Sequence, residues 1–114
     1  MSNDYPLIRL RDIILIKAEA AFRLGKNGPT LCAVNQIRTR AGVPAYTSLT
    51  LDLIFEERGR EMFAEASRRT DQPRFGKWNQ PWWGKAASQP FRVLFPIPLQ
   101  QINANPNLKQ NPGY

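Results

Sequence analysis

Hydrophobic positions return at helical intervals over the first two thirds of the chain and lose that rhythm afterwards. Leu7, Leu10, Ile14, Ala18 (or Lys17), Ala21 and Leu24 keep steps of three or four, the mark of a helix with one apolar stripe. Asp4-Tyr5-Pro6 predicts its start, with Asp4 capping the first turn and Pro6 placed where a missing N–H costs little. Gly25 predicts its end, since a left-handed residue commonly closes a helix. After the turn GKNGP, Thr30 predicts the cap of a second helix reaching about Arg40. Leu31, Val34 and Ile37 (or Ala33 and Ala41) turn inward there, and Gly42 and Pro44 stop it. The spacing thus predicts an antiparallel helix pair over residues 5–42, in which Ala18, Ala20 and Ala21 allow close approach. One face of that pair stays uncovered until another element, or a second copy, packs on it.

A third helix is predicted over residues 50–72. Thr50 is its N-cap, and Asp52 lies near the positive end of the helix dipole. Leu51, Phe55, Met62 and Ala66 fall on one stripe, while Arg58, Glu61, Glu65 and Arg68 fall on another. Opposite charges at those steps pair along a helix, each exposed pair adding roughly 0.2–0.5 kcal/mol. Pro73 predicts the end of this helix by Gln72.

Beyond Asp71 the pattern changes. Seven of the ten prolines and seven of the twelve aromatic residues lie from Pro73 onward, which excludes another long helix and predicts an irregular wrap pinned by large side chains. Within it, residues 92–97 (RVLFPI) predict a short edge strand and Pro98 opens a short helix over 99–104. Residues 105–114 are rich in turn formers. The fold class expected is mainly α: a tetratricopeptide-like helix pair over residues 5–42, a long third helix over 50–72, and a proline- and aromatic-rich tail over 73–114.

Composition narrows the chemistry. The 114 residues carry 42% hydrophobic side chains, enough for a core, and the longest apolar run, residues 13–16, is far short of a bilayer span. No stretch reads as a signal peptide. One cysteine and no histidine exclude a disulfide within the chain and a zinc site. Cys32 reads as a small buried side chain. No cofactor motif is present. A net charge of +7 suggests nucleic acid, but the basic residues are scattered and no basic stripe or RNA-binding aromatic motif appears, so no nucleic-acid partner is expected. Glu61 and Glu65 could serve as acid and base, yet each has an arginine one turn away, and no histidine offers a near-neutral base. An enzyme is not expected.

Taken in order, five segments resemble the SusD/RagB family of nutrient-binding proteins. They are residues 8–21 (IRLRDIILIKAEAA), 35–44 (NQIRTRAGVP), 57–76 (ERGREMFAEASRRTDQPRFG), 94–98 (LFPIP) and 105–114 (NPNLKQNPGY). The third is similar to the family's ER-x-x-E-x-x-x-E-x-x-R-x-x-D signature. Two departures stand out: Ala66-Ser67 replaces a commoner small-plus-bulky pair, and Pro73 stands where an aliphatic residue is usual.

The resemblance implies a non-enzymatic lipoprotein on the external face of the outer membrane of Bacteroidota. It implies capture of glycan or peptide, and pairing with a SusC-like TonB-dependent transporter. It also implies that this chain is the C-terminal part of such a protein, with the lipid-bearing cysteine outside it. Arg58, Glu61, Glu65, Arg68 and Asp71 are then scaffold residues. The runner-up is a stand-alone helical module that binds another protein.

Trp78, Asn79, Trp82 and Trp83 are the one cluster with ligand-binding chemistry. Indoles stack on the C–H faces of sugars, and amides such as those of Asn79 and Gln80 bond hydroxyls. The same indoles could instead pin the tail, each burying on the order of 150–250 Å². Both readings remain open at this point.

Overall fold

The structure is a computed structural model and describes residues 7–114; the expected cap at Asp4 and Pro6 lies outside the described residues, and the first helix begins later than expected, with Arg9 in extended conformation as its N-cap. Helix α1 spans Leu10–Arg23 and α2 spans Asn27–Arg40. Between them Gly25, with φ of 71°, makes the left-handed stop. Helix α3 spans Leu51–Glu61, and the Thr50 hydroxyl accepts from the Leu53 amide at 3.2 Å, as its position predicts. Both α2 and α3 pack on α1, which brings together a core of Leu15, Ala18, Val34, Ile37, Ile54 and Phe55.

Several expectations for this region need correction. Leu7, Leu10 and Leu24 are exposed, whereas Leu15, which the stripe left out, is fully buried. Helix α1 carries Leu10, Ile13, Ile14, Leu15 and Ile16 within seven positions, so more than one apolar stripe fits a 3.6-residue period. Thr30 is no cap: it lies inside α2, buried, and its hydroxyl donates to the Lys26 carbonyl at 2.8 Å. Cys32 is exposed.

The long third helix is also interrupted. Arg9 donates through Nη2 to the Glu61 carbonyl at 2.7 Å and through Nε to the Glu65 carboxylate at 2.7 Å. In a continuing helix the Glu61 carbonyl would take the Glu65 amide; that amide bonds Met62 instead, at 3.1 Å. Ala64 and Ala66 turn left-handed, with φ of 63° and 58°. Helix α4 then starts afresh over Arg68–Arg74. The turn carries Arg68 back over the Phe55 ring at 3.5 Å, where it donates to the Phe55 carbonyl at 2.7 Å. Gly59 makes room for it, since a Cβ there would lie 2.7 Å from Arg68 Nη1. Pro73 is inside α4 rather than beyond its end. Only Arg74 follows it in the helix, so the ring costs one donor and little else.

Charges pair across elements as well as along a helix. Arg58 donates to Asp12 at 2.9 Å, Glu61 faces Arg11 at 3.1 Å and Arg9 at 3.3 Å, and Glu57 accepts from Arg38 and Arg60, both at 2.8 Å. Hydrogen bonding to Glu65 raises the Arg9 guanidinium above its usual pKa, with burial opposing. Arg60 is raised likewise, chiefly by its bond to Glu57.

The chain divides into two compact units between Arg68 and Arg69. In the second, the only β pairing among the described residues is the Trp82–Lys85 bridge. The strand expected over 92–97 is absent: Pro90–Val93 is a 3₁₀ turn. Leu94 is extended, and the backbone from there to Ile97 takes side chains as partners. The Gln110 amide bonds both the amide and the carbonyl of Ile97, at 2.8 and 2.9 Å, as a neighbouring strand would. Asn111 and the Tyr114 hydroxyl donate to Phe95 and Leu94, each at 2.7 Å. Prolines at 90, 96 and 98 remove the donors a ladder needs. Helix α5, Leu99–Ala104, begins at Pro98 as expected. The architecture is mainly α.

Candidate functional site

The tryptophan segment is built around a two-residue hairpin. The Trp82 amide bonds the Lys85 carbonyl at 3.1 Å, and the Lys85 amide returns to Trp82 at 2.8 Å. Gly84, with φ of 76°, fills the third place of the turn, where a type II geometry requires a left-handed residue. Trp83 takes the second place, at the tip.

Lys85 braces the loop from within. Its ammonium donates to the carbonyls of Trp78, Gln80 and Ala86 at 3.1–3.3 Å, and to the Ser88 hydroxyl at 3.3 Å. It also lies 4.3 Å from the centre of the Trp82 ring, a favourable cation–π distance. Ser88 in turn donates to Asn79 Oδ1 at 2.9 Å, and its amide bonds the Asn79 carbonyl. Asn79 is thereby committed to the loop's own structure.

The three indoles have different surroundings. Trp78 donates its N–H to the Arg92 carbonyl at 2.7 Å, and the Arg69 guanidinium lies 3.8 Å over its ring. Arg69 also faces Phe95 and donates to the Val93 carbonyl, so it clamps the start of the tail between two aromatic faces. Its Nε is buried without a partner, a cost that the stacking must offset. Trp82 meets Trp78 with ring centres 5.9 Å apart and is 40% exposed, whereas Trp83 is 99% exposed. Trp78 and Trp82 therefore act as pins in this arrangement, while Trp83 presents both faces of its indole to solvent. Arg69 and Lys85 were not singled out from the sequence. The Trp-Gly dipeptide before Lys85 was a turn signal that could have drawn attention to the lysine.

The other predicted residues have different roles. Arg58, Glu61 and Glu65 are held in the ion pairs of the first unit, Arg68 covers Phe55, and Asp71 accepts from Arg74 at 2.7 Å. Among the described residues there is no group of carboxylates or thiols suited to a metal, and no helix is long and apolar enough to cross a membrane. On the first unit, an open groove of about 550 Å³ has an apolar floor at Leu10, Ile14 and Ile37 and a rim of Arg9, Arg11 and Arg40.

Comparison with known proteins places this architecture. The chain is 36% identical over 122 residues to the starch-binding protein SusD of Bacteroides thetaiotaomicron, an alignment covering 98% of this chain and 22% of the relative. It is 31% identical to a SusD-like protein of Formosa agariphila, covering 95% of this chain and 24% of that one. The chain thus spans about a quarter of the length of these relatives. Among solved structures, a SusD-like protein from Bacteroides fragilis superposes with a TM-score of 0.87 at 26% identity, covering 96% of this chain and 26% of that one. A surface glycan-binding protein of Bacteroides uniformis shares the fold, with a TM-score of 0.82 at 24% identity over 96% of this chain and 28% of that one. Residues 1–114 match the SusD family throughout, and the chain belongs to that family.

Proposed function

We propose that this chain is part of a non-catalytic surface protein that binds nutrient, most simply glycan, and delivers it to a TonB-dependent outer-membrane transporter. A lipid anchor elsewhere in the protein would hold it on the external face. The observation that carries the reading is Trp83: a fully exposed indole at the tip of a turn fastened by Lys85 and Ser88. The turn backbone that carries the indole is already fastened, so little loop ordering is needed when a sugar stacks on it. Family membership and a relative named as starch-binding support the same ligand class. The engagement of Glu57, Glu61 and Glu65 with arginines supports a scaffold role for the carboxylates. A second reading, a helical module that binds protein, is favoured by the exposed Leu10, Ile13 and Leu24 of the first unit.

The test is tryptophan emission during titration with soluble polysaccharides, for the chain and for Trp83→Ala. The reading expects a saturable change with at least one glycan, lost in the variant while far-UV ellipticity is unchanged. Saturable binding that survives Trp83→Ala, or none with any glycan, would remove this turn from the capture site.

A further inference from the structure

The two units differ in charge balance as well as in composition. Up to Arg68 there are ten basic residues and eight acids; from Arg69 onward there are six basic residues and one acid, a formal charge of +5. That one acid, Asp71, is engaged by Arg74. Arg69, Lys85 and Arg92 of the second unit meet carbonyls or ring faces. Lys85 is the clearest case. Its four hydrogen-bond partners are neutral oxygens, and its other contacts are the rings of Trp82 and Trp78. Carbonyl dipoles satisfy the ammonium's donors but leave its full positive charge in place. This charge is part of the same four-residue turn that presents Trp83. Arg92, whose carbonyl anchors Trp78, is exposed and lies over Phe91.

Building on the glycan reading above, we propose that the Trp83 turn takes an anionic saccharide, one that carries carboxylate or sulfate groups beside the ring face that stacks on the indole. Stacking on Trp83 supplies an apolar contact, and the positive field of Lys85 selects the charged sugar over its neutral counterpart. A neutral glycan would gain the stack alone. In the first unit Arg9, Arg11, Arg38 and Arg58 face the carboxylates of Glu65, Glu61, Glu57 and Asp12, which offset their charge.

Matched ligands separate charge from shape. Oligogalacturonate and its methyl ester have one backbone and differ in the acid group; carrageenan oligosaccharides and their chemically desulfated counterparts do the same for sulfate. Each is titrated against the chain and against Trp83→Ala at low and raised salt, with helicity checked by far-UV ellipticity. The expected result is roughly tenfold tighter binding of at least one acidic member than of its neutral partner, the difference one charged hydrogen bond makes. That preference shrinks with salt, and binding is lost in Trp83→Ala. Which acidic member wins tells carboxylate from sulfate. Equal or tighter binding of the neutral members, still dependent on Trp83, would overturn the charge inference and leave the glycan reading standing. Acidic binding that Trp83→Ala does not weaken would be attraction to the basic unit at large, and would overturn it too. No binding by any of the four would overturn the charge inference, while the glycan reading falls only if the wider polysaccharide titration above is also silent. Oligothymidylate is titrated alongside, and Trp83-dependent binding as tight as that of the best saccharide would make the turn a nucleic-acid platform and overturn the proposal.

Discussion

Arginine organises both units, but through different partners. In the first unit guanidinium groups meet carboxylates far away in sequence: Arg9 with Glu65, Arg58 with Asp12, Arg38 with Glu57. In the second, Arg69 lies between Trp78 and Phe95, and the Lys85 ammonium is surrounded by carbonyls. The first arrangement depends on opposite charge, so deleting one member strands the other. The second depends on planarity and donor geometry, so it responds to the shape of the cation more than to its charge. A helical layer can draw on backbone bonding and use ion pairs to fix register. A proline-rich tail lacks that bonding and is ordered by the side chains themselves.

The sharpest way to break this contrast is Glu57→Ala. Glu57 is almost fully buried and accepts from both Arg38 and Arg60, and Arg38 is itself mostly covered. Removing the carboxylate leaves two facing guanidinium groups without their shared partner, at a cost of about 3 kcal/mol. Urea unfolding followed by far-UV ellipticity reads it directly. A loss below about 1 kcal/mol would place these pairs with ordinary surface salt bridges and erase the distinction between the units.

The counterpart in the tail is Arg69→Lys, which keeps the charge and removes the plane. It should cost about 1 kcal/mol through lost stacking on Trp78 and Phe95. All three tryptophans lie in residues 78–83, so their emission reports on this unit, and a red shift should accompany the loss. An unchanged spectrum and midpoint would mean that charge alone suffices at this position, as it does in the first unit.

The same contrast explains what could be read from sequence. That α1 to α3 exist was legible because stops and periodicity are local, and Thr50, Gly25 and Gly42 did what their chemistry dictates; their starts were less so, since α1 begins after Arg9 and α2 begins before Thr30. The buried face of α1 was not, since its apolar residues surround the helix and only the contacts with α2 and α3 choose among them. The tail was legible as an irregular, aromatic-pinned wrap from its prolines. Its fasteners were not, because Arg69, Lys85 and Gln110 act over distances in sequence that no period marks. For the candidate site, the cluster of indoles was visible. The division of labour that leaves Trp83 at the tip and turns Trp78 inward depends on Gly84 and Lys85 together.

The smallest expected effect concerns the break between α3 and α4, which periodicity alone would have filled with helix. Ala66 sits at φ of 58°, a conformation that costs an L-residue roughly 1–2 kcal/mol and costs glycine little. Ala66→Gly relieves that strain while widening the unfolded ensemble, which takes back about 0.4–1 kcal/mol. The net expectation is a gain of about 0.5 kcal/mol, seen as a melting temperature higher by about 2–4 °C. The sign carries the information. If residues 62–67 were helical in solution, glycine at 66 would instead destabilise by about 1 kcal/mol relative to alanine, and the melting temperature would fall. A rise therefore supports the turn held by Arg9 on the Glu61 carbonyl. A fall would restore the continuous helix over residues 50–72 and detach Arg68 from Phe55.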